Sequence, residues 1–245
     1  MVITELRRQP TILWVLIFAV SMGFFESSIV VYLREIYYPE GFTFPLHTIE
    51  PQIAITELIR EFFSLVMIIS VATLAKQSFY ERFANFLFIF GIWDIFYYIF
   101  LKFILGWPAS LATWDILFLI PLPWTSPVIA PIVISLIMIA LALIIYKYAH
   151  LNKTFEIKVR EWIILIGGAV VIFVSFILDF LRFFINNIEK YSHYPPLEQL
   201  RIASGEYHPS SFNWIVYLFG VLTLITAIIL INKTNKQKPK KINVQ

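Results

Sequence analysis

The sequence predicts an all-α polytopic membrane protein, a transmembrane bundle of six membrane-spanning helices. Hydrophobic residues make up 59% of the 245 residues and charged residues only 14%, whereas a soluble domain carries about 25% charged residues. Six apolar stretches also approach or exceed the roughly 20 residues that a helix needs to cross about 30 Å of hydrocarbon. The chain therefore has too few polar side chains for a water-facing surface, and most of its exterior must face lipid.

We place one helical span in each apolar stretch, because an isolated strand leaves its backbone groups unpaired in lipid. The predicted spans are 11–33, 51–75, 83–105, 126–148, 161–185 and 212–231. Pro51 fits the first turn of the second span, where its missing N–H costs nothing. Gly167 and Gly168 are expected to let the fifth span pack closely against a neighbour. The spans form a single transmembrane domain, 1–232, and a basic tail follows at 233–245.

The connection between the third and fourth spans, 106–125, is too apolar for a free loop and too short and proline-broken for a span. It predicts an interfacial or re-entrant segment that packs on the bundle. The other long connections, 34–50 and 186–211, lie on the same face, so the three are expected to cap one mouth of the bundle. Trp93-Asp94-Ile95 recurs as Trp114-Asp115-Ile116, but so short a match does not indicate a repeat.

The distribution of Lys and Arg predicts the orientation of the bundle. Of the 19 basic residues, 13 belong to one set of helix ends and the tail, and the positive-inside rule puts that side in the cytoplasm. These residues are Arg7, Arg8, Lys76, Arg82, Lys147, Lys153, Lys158, Arg160, Lys233, Lys236, Lys238, Lys240 and Lys241. Both termini are then cytoplasmic, as six spans require. The absence of Cys and of a cleavable signal peptide favours the cytoplasmic membrane of a prokaryote.

Ionisable residues inside the predicted spans are the main functional signal. Seven of them lie away from the cytoplasmic ends: Glu26, Glu57, Arg60, Glu61, Asp94, Asp179 and Arg182. A charged residue costs roughly 2.5–3.5 kcal/mol at a helix centre on insertion scales, so these side chains must face the bundle interior, one another or water. Asp94 lies near the midplane and the others in the outer halves of their helices. This common depth predicts one polar pocket that opens to the non-cytoplasmic side.

Spacing and charge sharpen this prediction. Glu57, Arg60, Glu61 and Ser64 follow at i, i+3, i+4 and i+7, which is one face of a helix. The seven residues comprise five carboxylates and two guanidiniums, so the pocket carries a charge of −3 if all are ionised. Such a site must hold protons, bind a cation or admit water.

A divalent metal is one candidate occupant, and no other cofactor is indicated. Three histidines lie in the non-cytoplasmic loops, and histidine combined with carboxylate suits zinc, iron or manganese. The candidate ligands are Glu26, Glu57, Asp94, His47, His193 and His208. They follow no fixed-spacing motif such as His-Glu-x-x-His.

Three functions fit this pattern. The first is a membrane-embedded site, enzymatic or ligand-binding, in which the five carboxylates act as ligands or as acid and base groups and the two arginines as their charge partners. The second is a non-catalytic subunit or assembly factor whose intramembrane charges are structural, and the third is a small proton- or cation-linked transporter. We favour the first, an acidic site for a proton, a metal or a cationic ligand. The expected partners are membrane lipids and either further copies of the chain or a larger membrane complex, and nothing indicates nucleic acid.

Overall fold

The computed structural model describes residues 10–47, 50–76, 78–120, 122–150 and 155–237. These ranges contain eight helices and one two-stranded sheet. The helices are α1 (Pro10–Tyr37), α2 (Pro51–Leu74), α3 (Phe79–Leu105), α4 (Ile129–His150), α5 (Val159–Asn186), α6 (Ile188–Tyr191), α7 (Pro196–Glu206) and α8 (Trp214–Lys236). The strands are β1 (Trp114–Phe118) and β2 (Trp124–Pro127). Six residues of the predicted basic side lie outside the described residues: Arg7, Arg8, Lys153, Lys238, Lys240 and Lys241.

Within the described ranges, five helices are long and apolar enough to cross a membrane: α1, α3, α4, α5 and α8. Large apolar side chains stay exposed on the outside of the bundle, among them Phe103 at 89% and Ile215 at 84%. A lipid-facing surface explains this exposure. The chain is therefore a multi-pass membrane protein. Helix α2 is long enough to be the sixth span, but Glu57, Arg60 and Glu61 lower the hydropathy of its first half.

Helix pairs approach closely where glycine removes a side chain. A β-carbon on Gly91 of α3 would lie 2.7 Å from the Ser135 carbonyl oxygen of α4. A β-carbon on Gly168 of α5 would lie 2.9 Å from the Leu224 side chain of α8. Gly167 has no atom of a neighbouring element within 4 Å of that position, so of the two predicted packing glycines only Gly168 lies at a helix interface.

The prediction of an all-α fold is wrong in the connection between α3 and α4. Strands β1 and β2 form an antiparallel hairpin there, in which Asp115 pairs with Ser126 and Ile116 with Thr125. Aromatic and β-branched residues favour strands, and this segment is rich in both. The hairpin also moves the start of α4 to Ile129, three residues later than predicted. Two short helices that the sequence did not predict, α6 and α7, lie in the connection after α5.

The three long connections meet at one end of the bundle, which we call the hairpin end. The ring of Phe42 packs on Trp107, and the ring of Phe44 packs on Tyr207. Tyr207 also hydrogen-bonds Thr125 of β2. These contacts join the segments after α1, α3 and α5, as the predicted cap requires.

The remaining helix ends meet at the opposite end. There the Tyr80 ring contacts Phe155, and the Asn235 side chain bonds the Glu156 backbone. The long helices therefore alternate in direction through the bundle. Between the two ends lies an apolar core that includes Met22, Ile68 and Ile89.

Candidate functional site: a buried acidic cavity

A cavity of about 170 Å³ lies inside the bundle toward the hairpin end. Its walls come from α1, α2, α3 and β1, with residues of the connections after α1 and β1. Five of the seven predicted intramembrane residues line it: Glu26, Glu57, Arg60, Glu61 and Asp94. These five side chains belong to three separate helices and line one cavity. The catalytic or ligand-binding roles of the five residues stay predictions.

Arg60 joins two of the carboxylates. Its Nη1 atom lies 2.6 and 2.8 Å from the two Glu26 oxygens, and its Nε donates to Glu57 at 2.8 Å. Glu57 lies one helical turn away on α2, whereas Glu26 belongs to α1. The guanidinium therefore neutralises a carboxylate of its own helix and ties α2 to α1.

Glu61 and Asp94 are held differently. Glu61 accepts the Leu119 backbone N–H at 3.1 Å, and Asp94 accepts the Ser135 hydroxyl at 2.8 Å. Among the residues that the structure describes, neither carboxyl forms an ion pair with a basic side chain. Glu61 and Asp94 are therefore the two acidic groups of the cavity for which the described residues provide no ion pair, although Arg60 lies near enough for its charge to act on Glu61.

A second ion pair, which the sequence analysis assigned to loops, also borders the cavity. Arg34 Nη2 lies 3.4 Å from Asp115 Oδ1, and the guanidinium stacks 3.7 Å from the Trp107 ring centroid. Burial raises the pKa of Asp115 to about 6, and the guanidinium of Arg34 opposes that rise. The Trp-Asp-Ile sequence shared by α3 and β1 was the available signal, because Asp94 and Asp115 are its two acids and both line the cavity.

The formal charge of the cavity equals the predicted charge, but two of the residues that contribute to it differ from those predicted. Five carboxyl groups and two guanidiniums line it, which gives −3 if all are ionised. Asp115 and Arg34 line the cavity, whereas the sequence predicted Asp179 and Arg182 there.

Asp179 and Arg182 do not line the cavity. Asp179 accepts hydrogen bonds from the Tyr207 hydroxyl at 2.7 Å, the Ser210 hydroxyl at 2.8 Å and the Ser210 N–H at 2.9 Å. This carboxylate fixes the segment before α8 to α5. Arg182 is exposed, and within the described ranges no ion pair joins it to Asp179. The predicted convergence is therefore wrong for these two residues, because depth along a helix does not determine which face a side chain occupies.

The predicted metal ligands are not assembled. Within the described part of the chain, no three His, Asp or Glu side chains form a group that could hold a metal ion. The candidate set was Glu26, Glu57, Asp94, His47, His193 and His208. The His47 ring packs on Tyr38 with 4.6 Å between centroids, and the His193 and His208 side chains are exposed. The described geometry therefore gives no support to a metal site, and the metal-ligand roles of these residues stay a prediction.

Unpartnered polar atoms concentrate at this cavity. In the described ranges, the buried side-chain atoms without a hydrogen-bond partner are Arg34 Nη1, Ser64 Oγ, Trp93 Nε1 and Asp115 Oδ2. All four residues line the cavity, and they are 7%, 1%, 6% and 2% exposed respectively. Buried polar groups in folded proteins are normally hydrogen-bonded. Four buried polar groups without a partner thus belong to residues in the wall of one cavity.

A second, larger cavity adjoins the first. Its volume is about 640 Å³, and it lies between α2, α7 and the connections after α1 and β1. Most of its lining is apolar, including Ile55, Leu58 and Leu200. It shares Leu46, Glu57 and Leu119 with the acidic cavity. We call this space the apolar vestibule.

Comparison of the chain with protein-family models, curated proteins and solved structures finds no match in any of the three.

Proposed function

We propose that this multi-pass membrane protein binds a cationic ligand in its acidic cavity, which opens to the non-cytoplasmic side. The observation that carries the proposal is the pair Glu61 and Asp94. Both carboxyls line a cavity with unpartnered polar atoms, and no basic side chain of the described residues pairs with either. A cation between them offsets buried negative charge that the two guanidiniums leave uncompensated.

Arg60 and Asp179 support the alternative, in which the intramembrane charges are purely structural. The Nε and Nη1 atoms of Arg60 donate to Glu57 and Glu26, and Asp179 accepts from hydroxyl and backbone donors. Such groups organise packing and need no ligand. This explanation does not extend to Glu61 and Asp94, which is why we favour a binding site over a purely structural subunit.

Transport through the bundle has less support. Below the cavity, α1, α2 and α3 contribute apolar side chains such as Met22, Ile68 and Ile89 to a continuous core. The polar contacts at the opposite end, such as the Tyr146 hydroxyl on Asn85, join helices to one another. A path for an ion would have to cross the apolar layer between them.

Binding of methylammonium, a small organic cation, tests the proposal. Calorimetric titration of the purified protein in lipid nanodiscs at constant ionic strength measures the affinity. We expect binding by the wild type and at least tenfold weaker binding by Glu61→Gln and by Asp94→Asn, because removing one partner of a buried charge pair costs about 2–5 kcal/mol. Glu35→Gln is the control, since Glu35 is an exposed carboxylate on α1. An absence of binding by the wild type, or equal binding by all variants, contradicts the proposal.

We also propose six spans, with α2 as the sixth, and an outward-facing hairpin end. Among the described residues, seven basic residues lie at the opposite end and in the last turn of α8: Lys76, Arg82, Lys147, Lys158, Arg160, Lys233 and Lys236. Four lie at the hairpin end: Arg34, Lys102, Lys190 and Arg201. The positive-inside rule then assigns the hairpin end to the non-cytoplasmic side of a cytoplasmic membrane.

The absence of Cys makes the orientation directly measurable. Ala109 is exposed at the hairpin end, and Gln237 is exposed after α8. In intact spheroplasts, a membrane-impermeant maleimide is expected to label Ala109→Cys and to label Gln237→Cys only after permeabilisation. The reverse labelling order contradicts the orientation, and labelling of both sites in intact cells contradicts the three spans, α4, α5 and α8, that separate them.

A further inference from the structure

We propose that the ligand is an amphiphilic amine whose ammonium group binds between Glu61 and Asp94 and whose apolar part occupies the vestibule. This inference rests on the proposed function and specifies the chemical class of the cation. It follows from the size of the acidic cavity, from its unpartnered atoms and from the residues that it shares with the vestibule.

The size of the acidic cavity limits what enters it. Its 170 Å³ is close to the roughly 150 Å³ of an engineered cavity that accepts benzene. It therefore admits a head group of a few heavy atoms and excludes a larger one. A bare metal ion would leave most of the space unfilled, and the described residues supply no three-ligand cluster to coordinate it.

The unpartnered atoms define the chemistry of that head group. Trp93 Nε1 and Arg34 Nη1 are donors only, an ionised Asp115 Oδ2 is an acceptor only, and Ser64 Oγ can donate or accept. A ligand that carried nothing but an ammonium group would leave the Trp93 donor unsatisfied. A hydroxyl or ester oxygen next to the ammonium group provides the missing acceptor. An amino-alcohol head group meets both requirements, with its nitrogen toward the carboxyls and its oxygen toward Trp93.

The vestibule provides space for an apolar substituent. Glu57 and Leu119 belong to the walls of both cavities. The Leu119 N–H also bonds Glu61, so this carboxyl contacts a residue that lines the vestibule. An ammonium group at Glu61 is thus separated from the vestibule by the residues that line both spaces. At about 640 Å³, the vestibule accommodates a chain considerably larger than the head group.

A series of three water-soluble amines tests the inference in the same nanodisc titration: methylammonium, ethanolamine and N-butylethanolamine. Burial of each methylene contributes about fourfold in affinity, so N-butylethanolamine is expected to bind at least tenfold more tightly than ethanolamine. Ala54→Phe fills the vestibule from α2 and is expected to remove this gain while leaving the affinity for methylammonium unchanged. Thr56→Phe is the matched control, because Thr56 is exposed on α2 outside the vestibule lining. Leu200→Trp narrows the vestibule from α7 and repeats the test from the opposite wall.

The possible outcomes separate the two proposals. If methylammonium does not bind, the proposed function fails and this inference fails with it. If methylammonium binds but the butyl group adds no affinity, or if the gain persists in both vestibule variants, only the inference is overturned. Loss of the butyl gain in Ala54→Phe or Leu200→Trp, with retention in Thr56→Phe, supports it.

Bilayer composition distinguishes the two sources of such an amine. If the amine is a membrane lipid, nanodiscs that contain phosphatidylethanolamine raise the unfolding temperature of the wild type over nanodiscs of phosphatidylglycerol alone, and Asp94→Asn removes the difference. If it is a soluble amine, only added N-butylethanolamine raises that temperature. Both results support the inference, whereas no stabilisation from either source overturns it.

Discussion

Replacement of Arg60 by Gln is expected to destabilise the bundle strongly. Arg60 is the one guanidinium that binds both Glu26 and Glu57, through contacts of 2.6–2.8 Å, and its side chain is 17% exposed. Removal of one partner from a buried ion pair costs about 3–5 kcal/mol, because the other charge stays buried without compensation. We expect a loss of this size in the free energy of unfolding, measured by denaturant titration in mixed micelles.

A second replacement separates buried charge from lost packing. If uncompensated carboxylates cause the loss, Arg60→Gln combined with Glu26→Gln and Glu57→Gln recovers more than half of it. Arg201→Gln is the matched control, since Arg201 forms an i,i+3 ion pair with Glu198 at 3.4 Å between more exposed side chains. Such pairs contribute about 0–1 kcal/mol. A loss at Arg60 no larger than the loss at Arg201, or no recovery in the triple variant, refutes the reasoning.

Three further predictions use neighbouring parts of the bundle. Gly168→Val is expected to cost about 1–3 kcal/mol of unfolding free energy through overpacking against α8, whereas Gly167→Val is expected to cost far less. Equal losses in the two variants contradict the contact between α5 and α8 at Gly168. Asp179→Ala is expected to lower the unfolding temperature, because it removes hydrogen bonds worth about 1.5–3 kcal/mol each. It is expected to keep the methylammonium affinity of the wild type, and a tenfold loss of affinity would indicate that Asp179 belongs to the binding site after all. The raised pKa of Asp115, about 6 against 3.8, favours its neutral form in the folded state. Its contribution to stability, roughly 3 kcal/mol, is therefore complete below about pH 4 and lost as pH rises through 6. Denaturant titrations from pH 4 to 8 are expected to show a smaller slope in Asp115→Asn than in the wild type, and an equal slope contradicts this role of Asp115.

Hydropathy predicts most of this fold because lipid imposes simple requirements. A long apolar segment must be a helix, since only a helix pairs its own backbone groups. That requirement predicts α1, α3, α4, α5 and α8 within a few residues. It says little about the segment between α3 and α4, where a hairpin forms by pairing residues such as Asp115 and Ser126. Such pairing depends on partners along the chain and not on mean hydropathy.

The acidic cavity was predictable where helical periodicity applies. Spacing alone places Glu57, Arg60 and Glu61 on one face of α2, and the cost of buried charge turns that face inward. Periodicity gives no information on contacts across 81 residues, which is the separation of Arg34 from Asp115. It also does not reveal that hydroxyl and backbone N–H donors of the connection before α8 hydrogen-bond Asp179, and for this reason depth along the helix placed that residue in the wrong site.

The central claim is that Glu61 and Asp94 face a common cavity that receives a cation. The most direct measurement is a high-resolution cryo-electron microscopy map of the protein in nanodiscs with ethanolamine. We expect density between the Glu61 and Asp94 carboxyls, with its polar end within hydrogen-bonding distance of Trp93 Nε1. A map in which these side chains point apart, or in which the cavity is closed by apolar side chains, contradicts the claim.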